Sequence, residues 1–332
     1  MFIIENYPLA VLFCIITMLC WGSWANTQKL AANTWRFELF YWDYVLGILL
    51  FSLILAFTLG STGNGGRAFT TDLAQAGASN IGSALIGGII FNAANILLGA
   101  AIAIAGMAVA FPVGIGLALV IGVVVNYIAN PVGNKTLLTA GVLLIVIAIL
   151  LNAFAYRRMQ SAGSKTSTKG LLLALTAGVL MGFFYKYVAA AMFPDFSMPE
   201  PGKLSPYTAV VIFSAGILLS NLVFNTLLMK RPFTGAPVSF ASYFKGGLRN
   251  HIIGILGGSI WCLGMSFSII ASGKAGPAIS YGLGQGATII AALWGIFIWK
   301  EFRGAPKGTN TILAATLLFY LIGLGLLVEA GA

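Results

Sequence analysis

The sequence predicts an all-α integral membrane protein with ten transmembrane helices arranged as two inverted five-helix repeats. Three observations predict it. The first is composition: 59% of the 332 residues are hydrophobic and 8% are charged, with a mean hydropathy of +0.96, whereas a soluble domain carries about 25% charged residues. The second is the length of the apolar runs. A helix needs roughly 20 apolar residues to cross a bilayer, and such segments recur at about 8–28, 39–60, 80–104, 107–128, 136–156, 169–192, 205–229, 249–272, 275–298 and 311–329. The third is repetition. Residues 84–129 align without a gap on residues 254–299, about 170 positions on, so that Gly87-Gly88 falls on Gly257-Gly258, Phe91 on Trp261, Gly106 on Gly276, Gly114 on Gly284 and Gly116 on Gly286. Duplicated helix bundles of this kind are a common plan among transporters.

The halves are residues 1–156 and 169–332, joined by a short basic linker at 157–168 that carries Arg157, Arg158 and Lys165. Five segments per half is an odd number, so the second half enters the membrane upside down relative to the first. The axis relating the halves then lies in the membrane plane, and the binding site is expected near the midplane between them. Within the repeat, segments 3 and 4 and segments 8 and 9 are joined by almost nothing (104–107 and 272–275), which predicts tight hairpins. Pro112 and Pro277 stand within or at the start of segments 4 and 9, where a proline either frees backbone carbonyls for a solute or ion or simply kinks the helix.

Lys and Arg set the orientation. One set of loops and helix ends holds Lys29, Arg36, Arg157, Arg158, Lys165, Lys169, Lys230, Arg231, Lys245, Arg249, Lys300, Arg303 and Lys307; the other holds Arg67, Lys135, Lys186, Lys203 and Lys274. The positive-inside rule places the first set in the cytoplasm and both termini outside it, in a multi-pass protein of the cell's inner, or plasma, membrane. The net charge of +10 is explained by these helix-end cations, so lipid rather than nucleic acid is the expected partner. Residues 1–7 lack Lys and Arg and no small-residue cleavage site follows, so the first apolar stretch reads as a retained helix.

Several classes of chemistry are excluded. Cys14, Cys20 and Cys262 lie in apolar segments without paired spacing, and His251 is the only histidine, too few partners for a metal site. No HExxH, GxSxG or GK[ST] pattern occurs, so no enzyme activity and no cofactor are expected. Spacings such as Gly178 to Gly182, Gly254 to Gly258 and Gly282 to Gly286 favour close helix contact and leave the oligomeric state open.

Polar residues inside the spans are the candidate site. Segment 3 carries Gly88, Asn92, Asn95 and Gly99 at i, i+4, i+7 and i+11, a small and polar stripe that serves either an uncharged polar solute or interhelical hydrogen bonding. Segment 9 supplies Tyr281, Gln285 and Thr288, segment 7 Asn221 and Asn225, and segment 1 Trp21, Trp24 and Gln28. With Trp261 in segment 8, Trp21 offers an aromatic wall for a flat ring or the apolar face of a sugar; Trp35 and Trp42 read as interfacial anchors, and Glu38 as solvated. Asp43, a few residues into segment 2, faces a wet cavity or a cation, because a buried carboxylate is costly in lipid. It is either a proton-coupling group or half of a static ion pair, with Lys29 at similar depth as the partner.

Ten helices as five plus five resemble the drug/metabolite transporter superfamily. Gly22-Ser23-Trp24, Trp42-Asp43-Tyr44, Gly87-Gly88 with Asn95, and Asn126-Tyr127 are similar to the ureide permeases of plants and, beyond them, to the bacterial rhamnose, glucose and ribose porters. The similarity is clearest over residues 1–130. It implies uptake of small, polar, mostly neutral compounds, proton coupling in several members, outward termini and a functional Asp43. Plant members have a long central loop with a nucleotide-like motif; here the linker is short and Gly163-Ser164-Lys165-Thr166 lacks the full pattern, so ATP regulation is not inherited.

The expected function is therefore import of a small neutral polar metabolite, a ureide or nucleobase-like ring compound ahead of a monosaccharide, with H⁺ or else Na⁺ as coupling ion. Export of lipophilic cations is the rival within transport, disfavoured because no Asp or Glu lies mid-span. A membrane scaffold is the rival outside it, and does not explain amide stripes in both halves.

Overall fold

The computed structural model describes residues 1–31, 34–105, 110–159 and 167–332. Gly106, the first expected hairpin and the Gly163-Ser164-Lys165-Thr166 stretch of the linker lie outside the described residues. Among those described there is no strand, and nine helices are long and apolar enough to cross a membrane. They are Tyr7–Ala31, Phe37–Phe57, Ala78–Ala105, Lys135–Met159, Thr168–Ala191, Pro206–Lys230, Leu248–Ala275, Pro277–Ile298 and Thr309–Glu329. A shorter apolar helix, Val113–Ala129, occupies the fourth expected segment.

The outer surface is that of a protein solvated by lipid. Leu143, Ile147, Leu150 and Phe154 recur at i, i+4, i+7 and i+11 on one face of Lys135–Met159, and all are exposed. Leu12, Ile15 and Leu19 do the same on the first helix. In water such stripes would be buried; here the opposite faces carry the small residues and the rare polar ones.

Three helices are not continuous. The first consists of α1 (Tyr7–Ser23) and α2 (Ala25–Ala31), with the break at Trp24. The ninth segment is divided into Pro277–Gly284, Ala287–Leu293 and a π-helical turn at Trp294–Ile298. The fourth opens on a π-helical turn, Phe111–Ile115. Pro277 neither kinks its helix nor frees a carbonyl within it. It occupies the first helical position, where its missing N–H is no loss, and the turn before it is made by Gly276 at φ +78°, a conformation that favours glycine.

Two helix crossings bring backbones together. Helix Phe37–Phe57 crosses Leu248–Ala275 where Gly47 lies on the Ile255 carbonyl and Gly258 on the Tyr44 carbonyl. Helix Ala78–Ala105 crosses Pro206–Lys230 where Gly88 lies on the Phe213 carbonyl and Gly216 on the Leu85 carbonyl. A Cβ at any of the four would sit inside contact distance of that oxygen. Gly88→Ala and Gly258→Ala are each expected to lower stability by about 1–3 kcal/mol through overpacking, seen as a fall in melting temperature in detergent. Gly325→Ala, which meets only open space, leaves it unchanged.

Candidate functional site

The two crossings frame a cavity of about 180 Å³. On the same measure a single water needs about 10–15 Å³, so the space admits a small solute. Its aromatic wall is Trp21, Trp24, Phe37, Phe91, Phe184 and Trp261. Trp21 and Trp261 stack at 5.9 Å between ring centroids with planes 12° apart, and the Trp21 Nε1–H donates to the Trp261 carbonyl at 3.2 Å. Phe91 packs on Trp261 at 4.3 Å, so the two residues matched by the sequence repeat meet across the cavity.

The polar groups in the lining, among the described residues, are Gln28, Asn95, Gln285 and Thr288, with no charged side chain. Among the described residues the side chains of Gln28 and Gln285 make no hydrogen bond, and Asn95 makes one, through its nitrogen. None of the atoms so left over is among the sealed, unpartnered ones, so they border the cavity. The break at Trp24 places both Trp24 and Gln28 there, and the break at Gln285-Gly286 does the same for Gln285 and Thr288.

The other predicted site residues lie elsewhere. Asn92 is fully buried behind Asn95 and bonds Tyr41 and Ser220. Asn225 donates to the Glu38 carbonyl at 2.9 Å. Asn221 is fully buried and makes no hydrogen bond; nothing in the structure explains its amide. The Tyr281 hydroxyl donates to the carbonyls of Ala118 and Met181, each at 3.2 Å, within a plug that closes the cavity on the side away from Lys29. In that plug Tyr185, Ser268 and Ser280 bond one another and Tyr185 packs edge-on to Tyr281 at 5.3 Å. Beyond it, a second cavity of about 350 Å³ is lined in part by Asn126, Lys186, Lys203 and Ser272.

Asp43 is not in the cavity and does not pair with Lys29. It is 1% exposed and takes Trp35 Nε1–H at 3.1 Å, Tyr243 O–H at 2.6 Å and His251 Nδ1 at 2.9 Å. When the carboxylate is ionised it only accepts, and Nδ1 of His251 then carries the hydrogen. Gly254 makes room, since a Cβ there would collide with that of Asp43. Burial, and then the bond to Asp43, push the Tyr243 phenol above its ordinary range, so it stays a donor. Trp35 is thus a buried ligand of Asp43 rather than an interfacial anchor. Trp42 is buried too, its Nε1 against the Met229 sulfur at 3.1 Å. Glu38, expected in solvent, is buried and bridged to Arg36 at 2.7 Å.

Lys29 pairs instead with Glu301 at 2.6 Å and sits 4.3 Å over the Trp299 ring. Tyr156 donates to the same carboxylate at 2.6 Å, Trp299 to Asn26 at 2.6 Å and Trp294 to Ser23 at 2.9 Å. This girdle ties the broken first helix to the end of the ninth segment. His251 and Glu301 were not anticipated; the one signal for His251 is that it is the chain's sole histidine, next to a basic helix start.

A membrane-crossing helical bundle that holds carboxamides in an aromatic-walled cavity has the form expected of a membrane transporter. The chain matches the ureide permease family model over residues 40–165 and 155–330 and belongs to that family. The match takes in both halves, so the resemblance first carried by residues 1–130 extends through the second. Ureide permease 1 of Arabidopsis thaliana is 23% identical over 387 aligned positions, covering 99% of each chain. Ureide permease 2 of the same plant is 22% identical, again covering 99% of each. The glucose uptake protein GlcU of Bacillus subtilis (strain 168) is 28% identical over 49% of each chain. A crystal structure with 16% identity superimposes on 96% of this chain and 95% of its own at a TM-score of 0.58, a likeness of fold alone.

The geometry predicts a pattern of reactivity. With the three buried native cysteines replaced, Gln28→Cys and Thr288→Cys are expected to react with a membrane-impermeant maleimide. Tyr281→Cys, sealed in the plug, is expected to react at least about tenfold more slowly, because thiol reactivity follows exposure.

Proposed function

We propose that this protein imports a small neutral polar metabolite by alternating access, with a ureide or nucleobase-like ring ahead of a monosaccharide as solute. The observation that carries this is the cavity: two carboxamides without protein partners and a third with its oxygen free, between aromatic faces, with no charged side chain among the described lining residues. An amide-rich ring offers complementary donors and acceptors and a flat face to stack. A lipophilic cation finds no carboxylate there to replace its lost hydration. The names of the relatives, ureide permease and glucose uptake protein, support the same solute class.

In this reading the chain crosses the plasma membrane ten times as two inverted repeats, with both termini outside. The paired crossings support the symmetry: Gly47 with Gly258 and Gly216 with Gly88 are the same contact made twice, about 170 residues apart. Gly22 on Ile290 and Gly182 on Ile121 repeat likewise, at offsets of 160 and 169 residues. The cavity lining includes Gln28 and Phe37, next in sequence to Lys29 and Arg36, and the Tyr185–Tyr281 plug lies on the far side; we read this as an inward-facing state. Reopening the plug while the girdle around Glu301 tightens is the outward-facing one. The coupling proton is exchanged at Asp43, and His251, partly exposed, is its route to solvent.

Proteoliposomes with fast solution exchange test this, using allantoin, uracil, a nucleoside, ribose, glucose and one lipophilic cation, each with and without a pH gradient. An inward current with a neutral solute is expected, and it disappears in Asp43→Asn. Asn95→Ala and Gln285→Ala each lower uptake about threefold to tenfold, the equivalent of one hydrogen bond. Full uptake with intact pH dependence in Asp43→Asn defeats the coupling role. A response to the lipophilic cation alone defeats the import reading.

A further inference from the structure

We propose that Tyr41 is a positioning residue: it fixes the Asn95 amide with its carbonyl oxygen toward the cavity, so that the site selects solutes able to donate a hydrogen bond there. This rests on the reading of the cavity as a solute site.

The bonds behind Asn95 run in one consistent direction, from the Ser220 end to the cavity. The backbone carbonyls of Gly216 and Ile217 can only accept. Ser220 lies 2.8 and 3.0 Å from them and commits its single hydroxyl hydrogen to that pair. Its oxygen therefore accepts from Asn92 Nδ2 at 2.9 Å. With its nitrogen facing Ser220, Asn92 turns Oδ1 toward Tyr41 and takes the only phenolic hydrogen, at 2.9 Å. The Tyr41 oxygen is left as an acceptor, and the Asn95 amide atom 3.1 Å away must be Nδ2. With Ser220 bonded to those carbonyls, the Asn92 amide flipped alone would set its Oδ1 against the Ser220 oxygen in a place that water does not reach: Tyr41 and Asn92 are fully buried and Ser220 is 8% exposed.

The Oδ1 of Asn95 is thereby the end of a relay that starts at a helix backbone. Gln28 and Gln285 have no such support and can each turn their amide to suit the solute. One fixed acceptor among two adaptable amides discriminates by the penalty it imposes: a solute that presents only acceptors to Asn95 leaves two lone pairs facing each other in a dry site.

The test compares uracil with 1,3-dimethyluracil, which keeps the ring and both carbonyls but lacks both N–H groups, and ribose with its O-methylated form. Thermal stabilisation and uptake are both read. Wild type is expected to favour the donor-bearing member of the pair by at least about tenfold. In Tyr41→Phe the ring stays but the relay is cut, and that preference falls several-fold, with weaker binding of the donor and not of its methylated analogue. Ser220→Ala, two links away and outside the cavity, moves the preference in the same direction, and it carries the test alone if Tyr41→Phe fails to fold. A merely structural role lowers both members of a pair equally, so an unchanged preference in the variants overturns this proposal while leaving import intact. No response of wild type to any neutral solute overturns the import reading and this one with it.

Discussion

Close contact between helix backbones is the constraint on which the rest of this structure depends. Lipid tails are as apolar as leucine, so the hydrophobic effect does not drive one helix onto another inside a bilayer. Packing must do it, and packing is tightest where a side chain is missing. Gly47, Gly88, Gly216 and Gly258 supply two such contacts, in which a Cα lies directly on a neighbouring carbonyl. Each crossing joins the first half of the chain to the second. The space left beside them, walled by Trp21, Phe91 and Trp261, is the cavity.

Charge is handled in the opposite way from apolar surface: among the described residues it is kept out of the cavity wall and held toward the ends of the bundle. Asp43 is satisfied by three donors from the same helix end, the short helix Phe240–Phe244 and the start of Leu248–Ala275. Glu301 is satisfied by Lys29 and Tyr156. Each cluster joins elements that must move relative to one another if the protein alternates between two faces. The polar groups left in the described cavity wall are neutral ones, whose desolvation costs least.

Much of the fold was legible because the chemistry of lipid is simple. Long apolar runs must be helices, and a gap-free repeat of glycines locates the close contacts. The cavity residues Trp21, Trp24, Gln28, Asn95, Trp261 and Gln285 could be singled out because large aromatic or polar groups are unusual in mid-span. Partners were not legible. A periodic stripe defines a helix face but not what covers it: Asn92 and Asn95 share a face, yet Tyr41 and Ser220 cover the first and leave the second at the cavity. Lys29 was matched to Asp43 by depth alone, whereas the ion pair runs to Glu301, 272 positions away. His251 and Tyr243 reach Asp43 from 208 and 200 positions away, and no local spacing encodes such a meeting.

The absence of charge from the cavity wall has an electrical consequence. A membrane voltage does work only on charge that moves through it, about 2.3 kcal/mol per elementary charge for each 100 mV. A neutral molecule in a neutral cage gives that field nothing to grip. In the coupled mechanism proposed above, the driving force therefore acts where fixed charges are, at the Asp43 end of the helices. In that reading the solute is a passenger, and the membrane's energy is applied to a different part of the protein.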